Sequence, residues 1–331
     1  HLCDRRQRQM CIRDRNMKIQ HLLLTICLCC FTLPNFAQKK LSFRFATRAE
    51  AQMLITDIDN FTNKLNQFDI NARLQKQDGK KSEFLRLAMN ETLNWGDQDK
   101  ARITKSFKSI LAKITKQKLK IDYPMEIVLV KTTMNEESGA GAYTRKNWIA
   151  IGEKALKEST DENLEYLLSH ELFHLLTRSN KEFKQEAYSA IGFTVTDKEL
   201  FFPIDIQEKR ISNPDIEAYD SYATFTIQGK PQKCSMIIYT DKPYTTGGLF
   251  DYLKVGLVPL SENLLPIQKD GVTVIYDIKE AEDFFDKVGN NTKYIINPEE
   301  IMADNFAYLI TQKKGLPNQE IIEKLADALK K

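Results

Sequence analysis

Two histidines and a glutamate occur in the segment HELFH at residues 170–174, within a run of helical character. Because His170 and His174 are four residues apart, both imidazoles project from the same face of a helix. That spacing allows two ring nitrogens to bind one tetrahedral metal ion, and zinc suits such donors. Glu171 lies at the edge of that face, where its carboxylate can reach a metal-bound water as a general base. The segment therefore predicts metal-assisted hydrolysis.

A coincidental pattern, or a helix with two core histidines, is the alternative. The helix around the motif is rich in leucine, which predicts that it is buried; the leucines are Leu164, Leu167, Leu168, Leu172, Leu175 and Leu176. An unpaired polar group in such a place costs about 1–3 kcal/mol. A bound metal ion would satisfy the two histidines and, through its water, the glutamate, so the metal site is the favoured interpretation.

A third protein ligand is required, and the chain has only four histidines. His1 and His21 fall in the N-terminal segment discussed below, so the third ligand is a carboxylate or, as a weaker alternative, Cys234. The segment Pro298–Phe306 places Glu300 and Asp304 four residues apart on one helix face. The competing interpretation is an acidic first turn stabilised by the helix dipole, which accounts for Glu299 better than for Asp304.

The segments HELFH and NPEEIMADNFA together resemble the gluzincin group of zincin-like metallopeptidases. More narrowly, residues 125–315 are similar to poorly characterised exported bacterial proteins described as zinc peptidases, through further segments: EAYSAIGF (186–193), ISNPDIEAY (211–219), GGLFDYLKVGLVPL (247–260) and VGNNTKYIINPEEIMADNFA (288–307). The resemblance implies that Glu300 is the third zinc ligand and that Asp304 accepts the outer ring N–H of a metal-bound histidine. The chain departs from well-known gluzincins in one respect, since Glu300 follows His174 by 126 residues.

A hydrolase of this kind also needs a donor to the developing oxyanion, and tyrosine or histidine usually serves. No further histidine is available after residue 174. Tyr294 is our first candidate, with Tyr276 and Tyr244 as weaker ones. The strand that we expect over 142–152 could hold an extended peptide by edge pairing, as the sheets of zincins do.

The hydrophobic pattern predicts an α+β fold. Residues 38–120 carry apolar residues at helical spacing, which indicates a helical N-terminal region. A catalytic domain is expected over 121–331, with a strand near 125–130 and a β-rich insertion at about 193–280. Asn297, Pro298 and two following acids predict the start of a helix that ends near residue 314.

The N-terminal residues are typical of export. Residues 17–37 combine a lysine, an apolar stretch and a terminal Ala37, which is the pattern of a signal peptide; a membrane anchor or lipid attachment at a cysteine are weaker alternatives. Residues 1–16 are interpreted as a non-native leader. Residues 1–37 hold six basic and two acidic side chains, which leaves 42 basic and 43 acidic ones in the remainder. A near-neutral body of this kind offers no electrostatic footprint for nucleic acid.

The sequence thus predicts an exported zinc metallopeptidase that acts on a peptide or protein substrate in the periplasm or outside the cell. We expect this protein to bind one Zn²⁺ ion and to keep no membrane span after the signal peptide is cleaved. Two alternatives remain open: a catalytically idle, zinc-stabilised binding protein of the cell envelope, and a hydrolase of non-protein amide bonds. Substrate specificity and oligomeric state do not follow from the sequence.

Overall fold

The computed structural model describes residues 41–330, and the predicted leader and signal segment lie outside them. The fold is α+β, as predicted. The helices are α1 Arg48–Ile55, α2 Asn60–Lys64, α3 Gln67–Leu74, α4 Lys81–Glu91, α5 Asp97–Lys116, α6 Glu153–Glu158, α7 Asp161–Ser179, α8 Lys181–Ser189, α9 Ile204–Gln207, α10 Phe284–Val288, α11 Pro298–Thr311 and α12 Gln319–Ala328. The strands are β1 Phe43–Phe45, β2 Thr92–Leu93, β3 Ile127–Thr132, β4 Ala142–Arg145, β5 Trp148–Gly152, β6 Phe193–Val195, β7 Ser221–Ile227, β8 Lys230–Tyr239, β9 Lys254–Pro259, β10 Gln268–Lys269, β11 Val272–Thr273 and β12 Tyr276–Asp277.

The first sheet has the order β1-β3-β5-β4, and β2 pairs with β3 beside β1. Strands β1, β3 and β5 are parallel, whereas β4 runs antiparallel to β5 at the edge. The sequence predicted one strand over 142–152, but the structure has a hairpin there. Lys146 adopts a left-handed conformation with φ of 46° and turns the chain between β4 and β5.

The N-terminal region is less separate than the sequence predicted. Helices α1–α5 fill most of residues 48–116, as expected, but β1 and β2 join the sheet that contains β3, β4 and β5. Helix α5 also packs against α7 through buried residues such as Ile103 and Phe107. The spacing of apolar residues cannot reveal strands as short as two or three residues, which depend on their partners for stability.

The second sheet lies in the β-rich segment and has the order β12-β9-β8-β7-β6, all antiparallel. Its inner residues Phe225, Met236 and Leu257 share one hydrophobic cluster with α7 and α11. Full burial of such side chains contributes about 1.5–3 kcal/mol each. Near the end of the predicted β-rich insertion, residues 272–277 form two short strands, β11 and β12. This sheet therefore belongs to the core that supports the two central helices.

Among the described residues, no helix combines the length and the apolar character that a membrane span requires. Cys234 lies on β8 with no exposed surface, and burial raises the pKa of its thiol to about 12. A thiol in that state is a small apolar residue.

Candidate metal centre

Two packed helices carry the predicted site residues. Helix α7 is capped by Thr160, whose hydroxyl accepts a hydrogen bond from the Asn163 N–H at 3.1 Å. Helix α11 begins as predicted: the Asn297 side chain accepts from the Glu299 N–H at 3.0 Å, and Pro298 follows the cap. Both helices are buried along most of their length, so the polar side chains between them require partners.

His170, His174 and Glu300 come together between α7 and α11. Their ligand atoms all lie within 4.8 Å of one another, and all three side chains are buried. Glu300 Oε2 is 3.0 Å from His170 Nε2 and 3.6 Å from His174 Nε2. Two imidazole nitrogens and one carboxylate oxygen are a donor set that suits a catalytic zinc ion.

One buried atom of this group lacks a hydrogen bond. Among the described residues, His174 Nε2 is fully buried and has no hydrogen-bond partner, although Glu300 Oε2 is the nearby acid. Leaving such an atom unsatisfied costs about 1–3 kcal/mol. A metal ion shared with His170 and Glu300 would satisfy it, so the residues present fit a bound zinc ion.

Each histidine is oriented by a carboxylate on its other nitrogen. His170 Nδ1 lies 2.9 Å from Asp304 Oδ1, and His174 Nδ1 lies 2.9 Å from Glu299 Oε1. Because an ionised carboxylate only accepts, both Nδ1 atoms carry the proton and donate. Both Nε2 atoms therefore face Glu300. Such partners fix the tautomer and ring orientation of a metal-binding histidine.

The carboxylates that orient the histidines, Asp304 and Glu299, each accept hydrogen bonds from one tyrosine and one threonine. Asp304 accepts hydrogen bonds from the hydroxyls of Tyr166 and Thr292. Glu299 accepts from the hydroxyls of Tyr188 and, at 2.6 Å, Thr177. Tyr166 and Thr177 lie on α7, and Tyr188 lies on α8. Each carboxylate thus has a fixed position before any metal binds.

Without a metal, these carboxylates favour the charged forms of the histidines. Burial opposes charge on His170 and His174, but neighbouring carboxylates, including Asp304, Glu299 and Glu300, outweigh it and raise both pKa values above their usual range. Burial also opposes charge on Glu299, yet its hydrogen bond to His174 holds the pKa of this carboxyl at about 2. The cluster is therefore a set of ion pairs that a divalent cation can replace.

Glu171 lies beside the cluster, against the edge strand. Its Oε2 accepts a hydrogen bond of 2.6 Å from the Thr144 hydroxyl, and the side chain is 2% exposed. Burial raises the pKa of Glu171 although both histidines oppose that shift. A carboxylate with a raised pKa is better matched to proton transfer near neutral pH.

Asp215 is a second buried carboxylate in this place, and sequence analysis assigned it no role. Its Oδ1 accepts a hydrogen bond of 2.6 Å from the Thr144 N–H, and its ligand atoms lie within 4.8 Å of those of Glu171 and His174. Burial and the charge of Glu171 raise its pKa well above the usual range. Thr144 thus separates two acids by holding Glu171 with its hydroxyl and Asp215 with its backbone.

Tyr294 lies next to His170, with ring centroids 6.3 Å apart. Burial and the carboxylates of Glu300 and Asp215 raise the pKa of its hydroxyl well above the usual range, so it remains a donor. Tyr294 is nevertheless 37% exposed, so part of the residue remains in contact with solvent. Of the weaker candidates, Tyr244 donates to Gly247 O at 3.1 Å, and Tyr276 lies on β12.

Two cavities border the cluster. One of about 60 Å³ is lined by Ala142, Asn213 and Tyr294, and another of about 260 Å³ is lined by Glu299 and Arg178, while Asp215 lines both. None of the three candidate ligands lines either cavity. Sites for drug-sized ligands are commonly about 300–1,000 Å³. The ligands are thus largely covered by the surrounding chain, and the His170 side chain is 10% exposed.

The edge strand itself is partly occupied. Strand β4 is at the open edge of the first sheet, where a peptide could pair. The Thr144 N–H, however, already donates to Asp215. Peptide pairing at this residue requires Asp215 to release that N–H.

The structure brings together His170, Glu171, His174, Glu300 and Asp304, and it places Tyr294 beside them. It places Cys234 outside the metal-capable groups of the described residues. Glu299 differs from the expected solvated first turn, because it is 4% exposed and contacts His174. In the sequence, only the position of Glu299 beside Glu300, at the start of a largely apolar helix, could have indicated its contact with His174.

Comparison with known proteins adds no relative. No family model, no curated protein and no solved structure matches this chain.

Proposed function

We propose that this protein is an exported zinc-dependent hydrolase that cleaves peptide bonds. The observation that carries the proposal is the buried group of His170, His174 and Glu300, with Glu171 beside it. Two nitrogens and one carboxylate oxygen as ligands leave one tetrahedral position for water or substrate. A purely structural zinc site has no use for a carboxylate base next to it.

A bound zinc ion would lower the pKa of a water towards neutrality and polarise the substrate carbonyl. Glu171 accepts the water proton at Oε1 while the Thr144 hydroxyl holds Oε2. The water oxygen bonds to the carbonyl carbon, and the Tyr294 hydroxyl donates to the carbonyl oxygen as negative charge develops there. When the C–N bond breaks, Glu171 passes its proton to the leaving nitrogen and is ionised again.

The metal content of the purified protein tests this proposal. We expect one zinc ion per chain in the wild type at neutral pH and a large loss of affinity in Glu300→Ala, because that variant removes one of three ligands. Elemental analysis after dialysis measures both. A wild type without stoichiometric zinc would refute the proposal, whereas full affinity in Glu300→Ala would refute only the third ligand.

Zinc binding should also release protons. Because the neighbouring carboxylates raise the pKa of both histidines, the metal-free protein holds more protons on these two rings than free imidazoles would hold. Zinc requires neutral imidazoles, so we expect at least one proton released per ion and an affinity that rises with pH. Calorimetry in buffers of different ionisation enthalpy measures the release. No proton release at pH 6.5 would contradict the assigned ion pairs.

The enclosed site favours a second candidate function, a zinc-stabilised binding protein of the cell envelope without catalysis. Its support is that none of the three ligands lines either neighbouring cavity. Incubation of the zinc-loaded protein with a peptide library and with cell-wall fragments separates the possibilities. Cleavage of peptides supports the peptidase, cleavage of wall amides supports a different substrate, and stoichiometric zinc without any cleavage supports the binding protein.

A further inference from the structure

The third candidate ligand, Glu300, has an outer partner that sequence analysis did not assign. Asn213 Nδ2 donates a hydrogen bond of 3.0 Å to Glu300 Oε1, while Glu300 Oε2 is the oxygen that faces both histidines. One oxygen is thereby occupied and the other is directed at the metal position. Asn213 thus forms a hydrogen bond with the outer oxygen of Glu300, just as Asp304 and Glu299 form hydrogen bonds with the outer nitrogens of His170 and His174.

Asn213 lies in the segment 212–215, which is part of the connection between α9 and β7 and contains no helix or strand. Within it, the Asp215 N–H donates to Asn213 Oδ1 at 2.8 Å, and the Ile216 N–H donates to Asn213 O at 3.2 Å. These two bonds fix the local turn and the direction of the asparagine side chain. They do not fix where the segment lies relative to α11.

Contacts from outside provide that placement. Arg178, on α7 one turn after His174, donates through Nη2 to Pro214 O at 2.8 Å and to Asp215 O at 2.9 Å. Arg73, on α3, donates through Nη2 to Ser212 O at 2.7 Å. The segment is therefore held at both ends by arginines on different helices.

The α3 contact belongs to a buried ionic network. Arg73 pairs with Asp69 at 3.2 Å and with Glu137 at 2.8 Å, and neither Arg73 nor Asp69 has any exposed side-chain surface. Asp69 Oδ1 in addition accepts from the Ser212 N–H at 2.9 Å. Both backbone polar groups of Ser212 are thus bound by the network. This gives the N-terminal helices a specific connection to the candidate metal centre.

We propose that Asn213 is a positioning residue that holds Glu300 as a one-oxygen metal ligand, and that the Asp69–Arg73–Glu137 network presents Asn213 to it. The inference rests on the proposed zinc site and deepens it. An amide donor on Oε1 disfavours two-oxygen ligation, which leaves a coordination position open for water. The N-terminal region would then act on the site through one hydrogen bond.

Asn213→Ala tests the first step. Outer partners of metal ligands commonly contribute ten- to a hundredfold in affinity. We expect the zinc affinity to fall by roughly that factor and the cobalt(II)-substituted protein to change its visible spectrum towards a higher coordination number. Metal titration and absorption spectroscopy measure these effects. Because Asn213→Ala also removes the acceptor of the Asp215 N–H, we expect the metal-free variant to unfold at a somewhat lower denaturant concentration, still in one cooperative transition.

Arg73→Lys tests the second step, because lysine keeps the charge but loses the planar fork. We expect a severalfold loss of zinc affinity, and the double variant with Asn213→Ala should bind no more weakly than Asn213→Ala alone, since both act through one bond. Lys64→Met is the control: it removes the side-chain contacts to Glu199 and Glu217 O between the same two regions. It keeps the Lys64 backbone carbonyl, which accepts from the Ser212 hydroxyl at 3.4 Å. Its zinc affinity and cobalt spectrum should equal those of the wild type.

The outcomes are separable. A wild type without zinc refutes the proposed function. A zinc-binding wild type whose affinity and cobalt spectrum are unchanged in Asn213→Ala refutes the role of Asn213 alone. Additive losses in the double variant, or an equal loss in Lys64→Met, refute the link from Arg73 to Asn213.

Discussion

Glu171→Gln should lower the turnover number for peptide hydrolysis by roughly 10²–10⁴-fold, the usual contribution of a positioned general base. Glutamine keeps the size of the side chain and can still contact the Thr144 hydroxyl, which donates to Glu171 Oε2 in the wild type. It cannot take a proton from water. Because Glu171 lies outside the group of His170, His174 and Glu300, we expect the variant to keep one zinc ion per chain.

The measurement pairs kinetics on a labelled unfolded protein with elemental analysis of the same sample. Glu165→Gln is the matched control on the same helix, where the wild-type carboxylate pairs with Lys113 away from the cluster. We expect near wild-type turnover from it. Undiminished turnover in Glu171→Gln would remove Glu171 from the mechanism, and a loss of zinc in that variant would make its kinetics a metal effect.

Arg73→Met should lower the free energy of unfolding by about 3–5 kcal/mol, because removing one partner leaves buried charges uncompensated. The carboxylates left behind are those of Asp69 and Glu137, whose side chains are 0% and 6% exposed. Methionine fills much of the volume but makes none of the hydrogen bonds to Glu137 and Ser212. A loss of this size is a large part of the stability of an ordinary domain.

The loss of unfolding free energy in Arg73→Met should depend on pH. Burial already raises the pKa of Asp69 and Glu137 in the folded protein, and loss of the guanidinium raises both further. A carboxyl with a higher pKa in the folded state binds more protons there, so folding becomes more favourable as pH falls. The difference between Arg73→Met and wild type should therefore shrink from pH 7 towards pH 5.

Urea unfolding of the metal-free proteins at both pH values measures this difference. Lys64→Met is again the control, since its pair with Glu199 is partly exposed and such pairs contribute about 0–1 kcal/mol. Equal losses in the two variants would show that the network around Arg73 contributes no more than a surface ion pair. A large loss independent of pH would show that it does not come from uncompensated charge on Asp69 and Glu137.

Much of the local structure followed from sequence. The start of α11 was predictable because Asn297 and Pro298 act through the backbone next to them. The extent of α7 was predictable because apolar residues repeat along it. The hairpin at Lys146 was missed, since a turn of residues without glycine or proline gives little local signal.

The candidate site, too, was predictable in part from the sequence. By itself the sequence placed His170 and His174 on one helix face with Glu171 at its edge, because their spacing and the helical period suffice for that. Scarcity of histidine then required a carboxylate third ligand, and resemblance suggested Glu300 and Asp304.

Only the tertiary structure decided which carboxylate serves which histidine, and that Asn213 and Asp215 approach from a distant segment. Glu299 and Glu300 are neighbours in sequence, yet one contacts Nδ1 of His174 and the other faces Nε2 of both histidines. Their difference depends on the angle at which α11 packs against α7. Packing angles come from side chains far apart along the chain, whereas local spacing specifies only the face of a helix.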